Sequence, residues 1–343
     1  MFTNYALFNT RGRTHSEAIM SLLTPALPAG SRHQATAAPG ALDLRATGTM
    51  LLLCLLWSLQ QVSLKAVAGQ ISPMLMIALR SCVAVVLLGL LMRHRGERLA
   101  RERWRAGALA GLLFGLEFLL VSEALQRTQA AHVIVFLYTA PIFAALGLHL
   151  RWPAERMGAW QWAGALLAFA GIACAFLGPR AGAPGHTGGQ ALAGDALALL
   201  AALAWGATTV TLRSTRLVEA PATETLMYQL LGAALLLLPT ALLSGQGHVE
   251  CSALVLAHLG FQSVVVSFAS FLTWCWLLRR YLASQLGMFS FLTPLFGVLL
   301  GAALLGETLE PPFLVSSVLV LTGIGLVSAQ GPLQRAWRRR RAG

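Results

Sequence analysis

The fold class this sequence predicts is all-α integral membrane, with ten transmembrane helices arranged as two inverted five-helix repeats. Three observations carry the expectation. Of 343 residues, 57% are hydrophobic and only 11% charged, whereas soluble domains carry roughly 25% charged residues. The apolar residues come in blocks of about 20, the length that crosses a hydrocarbon core of about 30 Å. The landmarks of the first five blocks then recur, in order, in the second five.

The blocks lie near residues 48–68, 73–92, 106–125, 130–150, 158–177, 192–212, 222–243, 255–278, 283–304 and 312–329. Short polar joints separate 106–125 from 130–150 and 255–278 from 283–304. The stretch Gly178 to Gly194, rich in Gly and Pro, reads as an external linker between the halves. The expected organisation is a cytoplasmic tail over 1–45, a first repeat over 46–178, a linker over 179–191, a second repeat over 192–330 and a basic cytoplasmic tail over 331–343. Residues 1–45 hold no sustained apolar run. They read either as a disordered tail or as an over-extended start, with Met20 the alternative.

A net charge of +12 invites a nucleic-acid reading, but its distribution argues otherwise. With the N-terminus inside, the inner segments hold Arg11, Arg13, Arg32, Arg45, Arg93, Arg95, Arg98, Arg101, Arg103, Arg105, Arg151, Arg156, Arg213, Arg216, Arg279, Arg280, Arg335 and Arg338 to Arg341. The outer side holds Lys65, Arg127 and Arg180, and Arg80 lies inside a span. Positive charge kept on the cytoplasmic side is the membrane-topology rule, and both termini inside requires an even number of spans. The partner implied is the lipid bilayer, that of a bacterial inner membrane, and not nucleic acid. The five cysteines have neither disulfide nor metal-ligand spacing and read as packing residues.

The repeat is specific in its details. Trp57 is followed eight residues later by Lys65, and Trp205 by Arg213; sixteen residues after each Trp stands Pro73 or Pro221. Tyr138-Thr-Ala-Pro141 is matched by Phe291-Leu-Thr-Pro294. An acid follows each, Glu155 or Glu307, and sixteen residues on comes Gly171-Ile or Gly323-Ile. Because five is odd, the second half enters the membrane from the opposite side, an arrangement common in secondary transporters.

The Trp57–Lys65 segment, Ile71-Ser-Pro-Met-Leu-Met-Ile-Ala-Leu-Arg80, Gly194-Asp195 and the series from Leu277-Leu-Arg-Arg-Tyr through Phe291-Leu-Thr-Pro294 to Leu305-Gly-Glu307 resemble the EamA-type transporters of the drug/metabolite superfamily. The resemblance covers about residues 48–330. It implies ten helices, both termini cytoplasmic, and transport, usually export, of metabolites such as amino acids.

Polar groups at membrane depth point to the site, since each is costly unless paired or facing a cavity. Trp57, Gln60 and Gln61 fall near the middle of the first block, Trp205, Thr208 and Thr209 near the middle of the sixth. Tyr138 and Phe291 precede the prolines at similar depth. Together they form the expected substrate-binding set, against the blander reading of helix packing. Lys65, Arg80, Glu117 and Glu123 read by default as ion-paired among themselves; the sharper alternative has Glu117 or Glu123 exchanging a proton while the cations draw a carboxylate. Pro141 and Pro294 each remove a backbone donor, freeing the carbonyls of Leu137 and Ser290, and read as kinks or hinges. Gly107, Gly111 and Gly115, and Gly297 with Gly301, form small-residue stripes suited to close helix contact. Glu155 and Glu307, at span ends, read as structural.

No phosphate-binding loop, metal cluster or nucleophile–base pair is legible, so no cofactor, metal or catalytic residue is expected. The expected function is secondary active transport of a small molecule. A membrane-embedded enzyme acting on a lipid-linked substrate is the alternative. The sequence leaves the oligomeric state open, a homodimer being one form consistent with it.

Overall fold

In the computed structural model of the chain, residues 44–151, 157–177, 188–280, 290 and 292–341 are described. Helices dominate them. The first half contains α1 (Leu44–Ala66), α2 (Pro73–Arg95), α3 (Trp104–Arg127), α4 (Ala130–Leu137), α5 (Ala140–Arg151) and α6 (Ala159–Leu177). The second contains α7 (Gly188–Ser214), α8 (Ala222–Leu243), α9 (Ala253–Gly260), a π-helical segment (Phe261–Ser270), α10 (Phe271–Arg280), α11 (Leu292–Leu305) and α12 (Pro311–Arg341). Among the described residues, β pairing is limited to one isolated bridge, Ile71 with Val249.

Seven of these helical stretches are long and apolar enough to cross a membrane, and three shorter apolar helices, within 162–174, 292–305 and 311–326, accompany them. The outward faces are apolar as well: Leu52, Val86, Leu90, Leu112, Leu235, Leu256 and Val318 are exposed. A helix hydrophobic both inside and out is one solvated by lipid. The chain is a multi-pass membrane protein.

Local chemistry explains the boundaries. The Ser72 hydroxyl accepts from the Leu75 amide, Pro73 occupies the first turn, and α2 ends on Gly96 at φ 67°, a conformation that favours glycine. The 130–150 block, expected to be one kinked helix, is instead two. The chain stops at Tyr138, turns through an amide bond from Thr139 to Phe136 O (3.1 Å) and restarts, with Ile142 N donating to Thr139 O (2.9 Å). Pro141 therefore sits in the first turn of α5, where its missing donor is no loss. Pro294 likewise lies in the first turn of α11, and the Ser290 carbonyl accepts from Thr293 N at 3.1 Å rather than standing free. At the other end, α12 continues to Arg341 through residues expected to be a separate tail, because Arg, Ala, Leu and Gln favour helix.

Several packing contacts of the first half have counterparts in the second. α1 packs on α11 as α7 packs on α4 and α5. α3 packs on α7 as the π segment packs on α1, and α3 on α8 as the π segment on α2. The pairs α2–α8, α4–α11 and α6–α12 map onto themselves. The small-residue stripes sit at these crossings. A Cβ at Gly111 would lie 2.4 Å from Tyr228 O, and one at Gly232 would lie 2.1 Å from Gly111 O. Repeat-related Gly171 and Gly323 face one interface: a Cβ on the first would meet Ser316 O at 2.9 Å, one on the second Gly164 O at 2.4 Å. Gly297 abuts Ile134 of α4.

Candidate functional site

Three of the four expected charged residues lie on α2 and α3, but the set does not form one cluster. Arg80, 2% exposed, lies deep in α2. Its Nη1 donates to Gln262 Oε1 of the π segment at 2.6 Å, and its guanidinium carbon stands 4.7 Å from the Phe118 ring centroid. Glu117, also buried, lies within Coulombic reach of Arg80. Gln262 in turn donates from Nε2 to the Gln60 backbone carbonyl at 2.8 Å. That bond fixes which end of the amide faces Arg80, and it ties α1, α2 and the π segment into one chain of contacts.

Around this chain, several buried polar atoms find no hydrogen-bond partner among the described residues: Arg80 Nε, Glu117 Oε2, Gln61 Oε1, and the hydroxyls of Ser263 and Ser267. An unmet buried polar group costs about 1–3 kcal/mol, and more if charged. In proteins such groups are few and ask for a reason. The π segment supplies part of the geometry. Its i→i+5 bonding widens the turn, so that Gln262, Ser263, Val266, Ser267 and Ser270 all point inward.

Lys65 and Glu123 belong elsewhere. The Lys65 ammonium binds the carbonyls of Leu125 and Thr128, the latter at 2.9 Å, and so caps the C-terminal end of α3. Glu123 pairs with Arg127 on its own helix and accepts from Gln246 Nε2 at 3.0 Å. The physical reason is reach: both residues sit nearer the helix ends than Arg80 and Glu117, where the terminal carbonyls of α3 and the side chains of Arg127 and Gln246 offer partners.

The expected aromatic and amide set divides as well. Trp57 donates to Ser270 Oγ at 3.1 Å and meets Trp274 edge-on, with centroids 5.4 Å apart. Its repeat mate Trp205 meets Tyr138 edge-on, also at 5.4 Å. Thr208 and Thr209 donate back into their own helix, to Ala204 O and Trp205 O. Ser58 of α1 reaches the Thr293 carbonyl at 2.7 Å, close to Pro294. Phe291 and Glu155 lie outside the described residues.

Two further groups of polar contacts between the halves lie away from the Arg80–Gln262 chain, at opposite ends of the helices. At one, Glu307 accepts from the amides of Ala130 (2.6 Å) and Ala131 (3.0 Å) at the start of α4, an anion on a helix N-terminus. Asp195 there takes Thr128 Oγ1 at 2.8 Å and His132 Nδ1 at 3.0 Å, with the His132 ring stacked on Phe313. At the other end Arg103 grips Glu224 through Nε (3.1 Å) and Nη2 (2.7 Å), and Ala100 N donates to the same carboxylate. Among the described residues no three His, Cys, Asp or Glu side chains converge as a metal would require.

Gln262, Ser263, Ser267 and Ser270 are absent from the sequence-derived set. Their signal was available: four polar residues in one apolar block, the same criterion that singled out the first and sixth blocks.

Known proteins fit this architecture. The profile of the EamA-like transporter family matches residues 45–177 and 192–329. An uncharacterized transporter of Bacillus subtilis (strain 168), YoaV, is 23% identical over 277 residues, spanning 79% of this chain and 92% of its own. A second from the same organism, YvbV, is 26% identical over 299 residues, 86% of this chain and 96% of its own. A protein of known crystal structure superimposes with a TM-score of 0.61 at 23% identity, covering 85% of this chain and 98% of that one, a likeness of fold. The chain belongs to the EamA-like transporter family.

Proposed function

We propose that this protein is a secondary active transporter. It exports a small metabolite, such as an amino acid or a derivative, across a bacterial inner membrane, by alternating access between two inverted five-helix repeats. The observation that carries the reading is the buried group around Arg80, Glu117 and Gln262, whose unmet polar atoms lie inside apolar helices. Ionisable groups at membrane depth are functional by default, and polar atoms that the protein leaves unmet are what a polar solute would satisfy.

The exchange of packing between the halves supports inverted repeats over 46–178 and 192–330, with ten crossings. The two ends support the orientation. Arg93, Arg95, Arg98, Arg101, Arg103 and Arg105 gather where Glu224 and Arg216 lie, which is the cytoplasmic end by the positive-inside rule. The end holding Lys65, Gln246 and Glu307 is then external, and both termini are cytoplasmic. In this reading Trp57, Gln60, Gln61, Tyr138, Trp205, Thr208, Thr209 and Phe291 line the solute path. Arg80 and Glu117 form its charged floor. Pro141, just after the break at Tyr138–Thr139, and Pro294 mark hinges, while Lys65 and Glu123 belong to the external closure.

The test is counterflow in proteoliposomes preloaded with a panel of amino acids and related metabolites, with Gln60→Ala as control. Saturable exchange of one compound, diminished in the variant, is the expected result. Absence of exchange across the panel by correctly folded protein would defeat the reading.

A further inference from the structure

We propose that Arg80 and the π-helical segment, through Gln262, Ser263 and Ser267, form a carboxylate subsite, with Glu117 taking the solute's cationic group. The inference rests on the transporter reading and names the chemistry of its site.

The geometry of Arg80 carries it. One edge of a guanidinium offers Nε and an Nη together, the fork that binds a carboxylate through two parallel bonds. That edge carries Nε and Nη2: here Nε has no partner among the described residues, while Gln262 Oε1 holds Nη1 on the other side at 2.6 Å and the Phe118 ring centroid lies 4.7 Å from the guanidinium carbon. A neutral amide oxygen is a weak partner for a buried cation; a carboxylate would complete the site with charge-assisted bonds. Ser263 and Ser267, 1% and 0% exposed, follow Gln262 on the same buried face. Their hydroxyls are likewise unmatched and can donate to an anion.

Charge balance extends the inference to the other end of the solute. With Glu117 ionised, Arg80 and Glu117 contribute one positive and one negative group to the same low-dielectric interior, and each retains an open bonding atom. A solute bearing both a carboxylate and an ammonium satisfies both atoms and brings no net charge into the membrane. A monoanion leaves Glu117 unmet, and a monocation leaves Arg80 unmet, at the buried-charge cost already noted.

The test uses paired probes. Proteoliposomes are loaded with a mixture of the common L-amino acids and face the same mixture isotopically labelled, with uptake read by mass spectrometry; a parallel set uses the corresponding α-amides, which lack the carboxylate. The wild type should exchange acids and not amides. The double variant Ser263→Ala, Ser267→Ala should raise the KM for the acids about tenfold or more, the loss expected for hydrogen bonds to a charged group. It should also melt at or above the wild-type temperature, because hydroxyls that hold nothing in the protein can be removed without structural loss. Acids and amides exchanged alike, an unchanged KM in the variant, or a variant that melts lower would each overturn the subsite while leaving a working transporter. No exchange of either set by folded wild type would overturn the transporter reading and the subsite with it.

Discussion

Replacing Glu307 with alanine separates structural from functional acids in this protein. Glu307 offers one oxygen to Ala130 N at 2.6 Å and the other to Ala131 N at 3.0 Å. Both alanines are fully buried, so water does not replace the lost acceptors. Two buried amides left unmet at about 1–3 kcal/mol each, together with the lost helix-terminus charge at about 0.3–1 kcal/mol, give a destabilisation of about 2–7 kcal/mol. Glu307→Gln keeps one acceptor oxygen and should lose about half of that. At about 2–4 °C per kcal/mol for a chain of this order of size, the alanine variant should melt about 10 °C lower in detergent. The glutamine variant should fall between it and wild type. The assay is thermal unfolding followed by tryptophan fluorescence, alongside size-exclusion elution of heated samples. An alanine variant that melts with wild type would refute the capping argument. A glutamine variant as damaged as the alanine one would show that charge, and not acceptor geometry, governs the site.

Gly232→Leu should prevent the α3–α8 contact altogether, since even a Cβ there would lie 2.1 Å from Gly111 O; well-expressed, monodisperse protein with an unchanged melting temperature would contradict that crossing. Glu117→Gln should abolish pH-gradient-driven transport while leaving the protein in the membrane, and unaltered coupling in that variant would remove Glu117 from the proton path. Cys251, exposed in the loop after α8 near Gln246, should react with a membrane-impermeant maleimide applied to intact spheroplasts. Labelling only after the membrane is opened would invert the proposed orientation.

Much of this was legible in the chain itself. Block length and hydropathy depend on composition over some 20 residues, and lipid demands the same of every spanning helix, so the apolar blocks could be placed without any contact being known. The repeat was readable because Trp57 and Trp205, or Pro73 and Pro221, sit at fixed offsets. The close contacts of Gly111 and Gly297 follow from small residues at helical spacing, and Glu307 at a span end reads as structural in both views. What the chain could not disclose was partnership. Lys65, Arg80, Glu117 and Glu123 look alike on a hydropathy plot. Only the helix packing sends Lys65 to the α3 carbonyls and Glu123 to Arg127, leaving Arg80 facing Gln262 from a block 182 residues away.

The break before Pro141 needed coordinates for a related reason: a proline forbids the helix interior but does not say whether the helix bends or restarts. The π-helical turn of 261–270 depends on what the wider turn can bury, which is a property of neighbours. Sequence alone placed the apolar stretches, because membrane solvation acts on each segment separately. The tertiary structure decided the site, because hydrogen bonds at membrane depth are satisfied, or left open, only between segments.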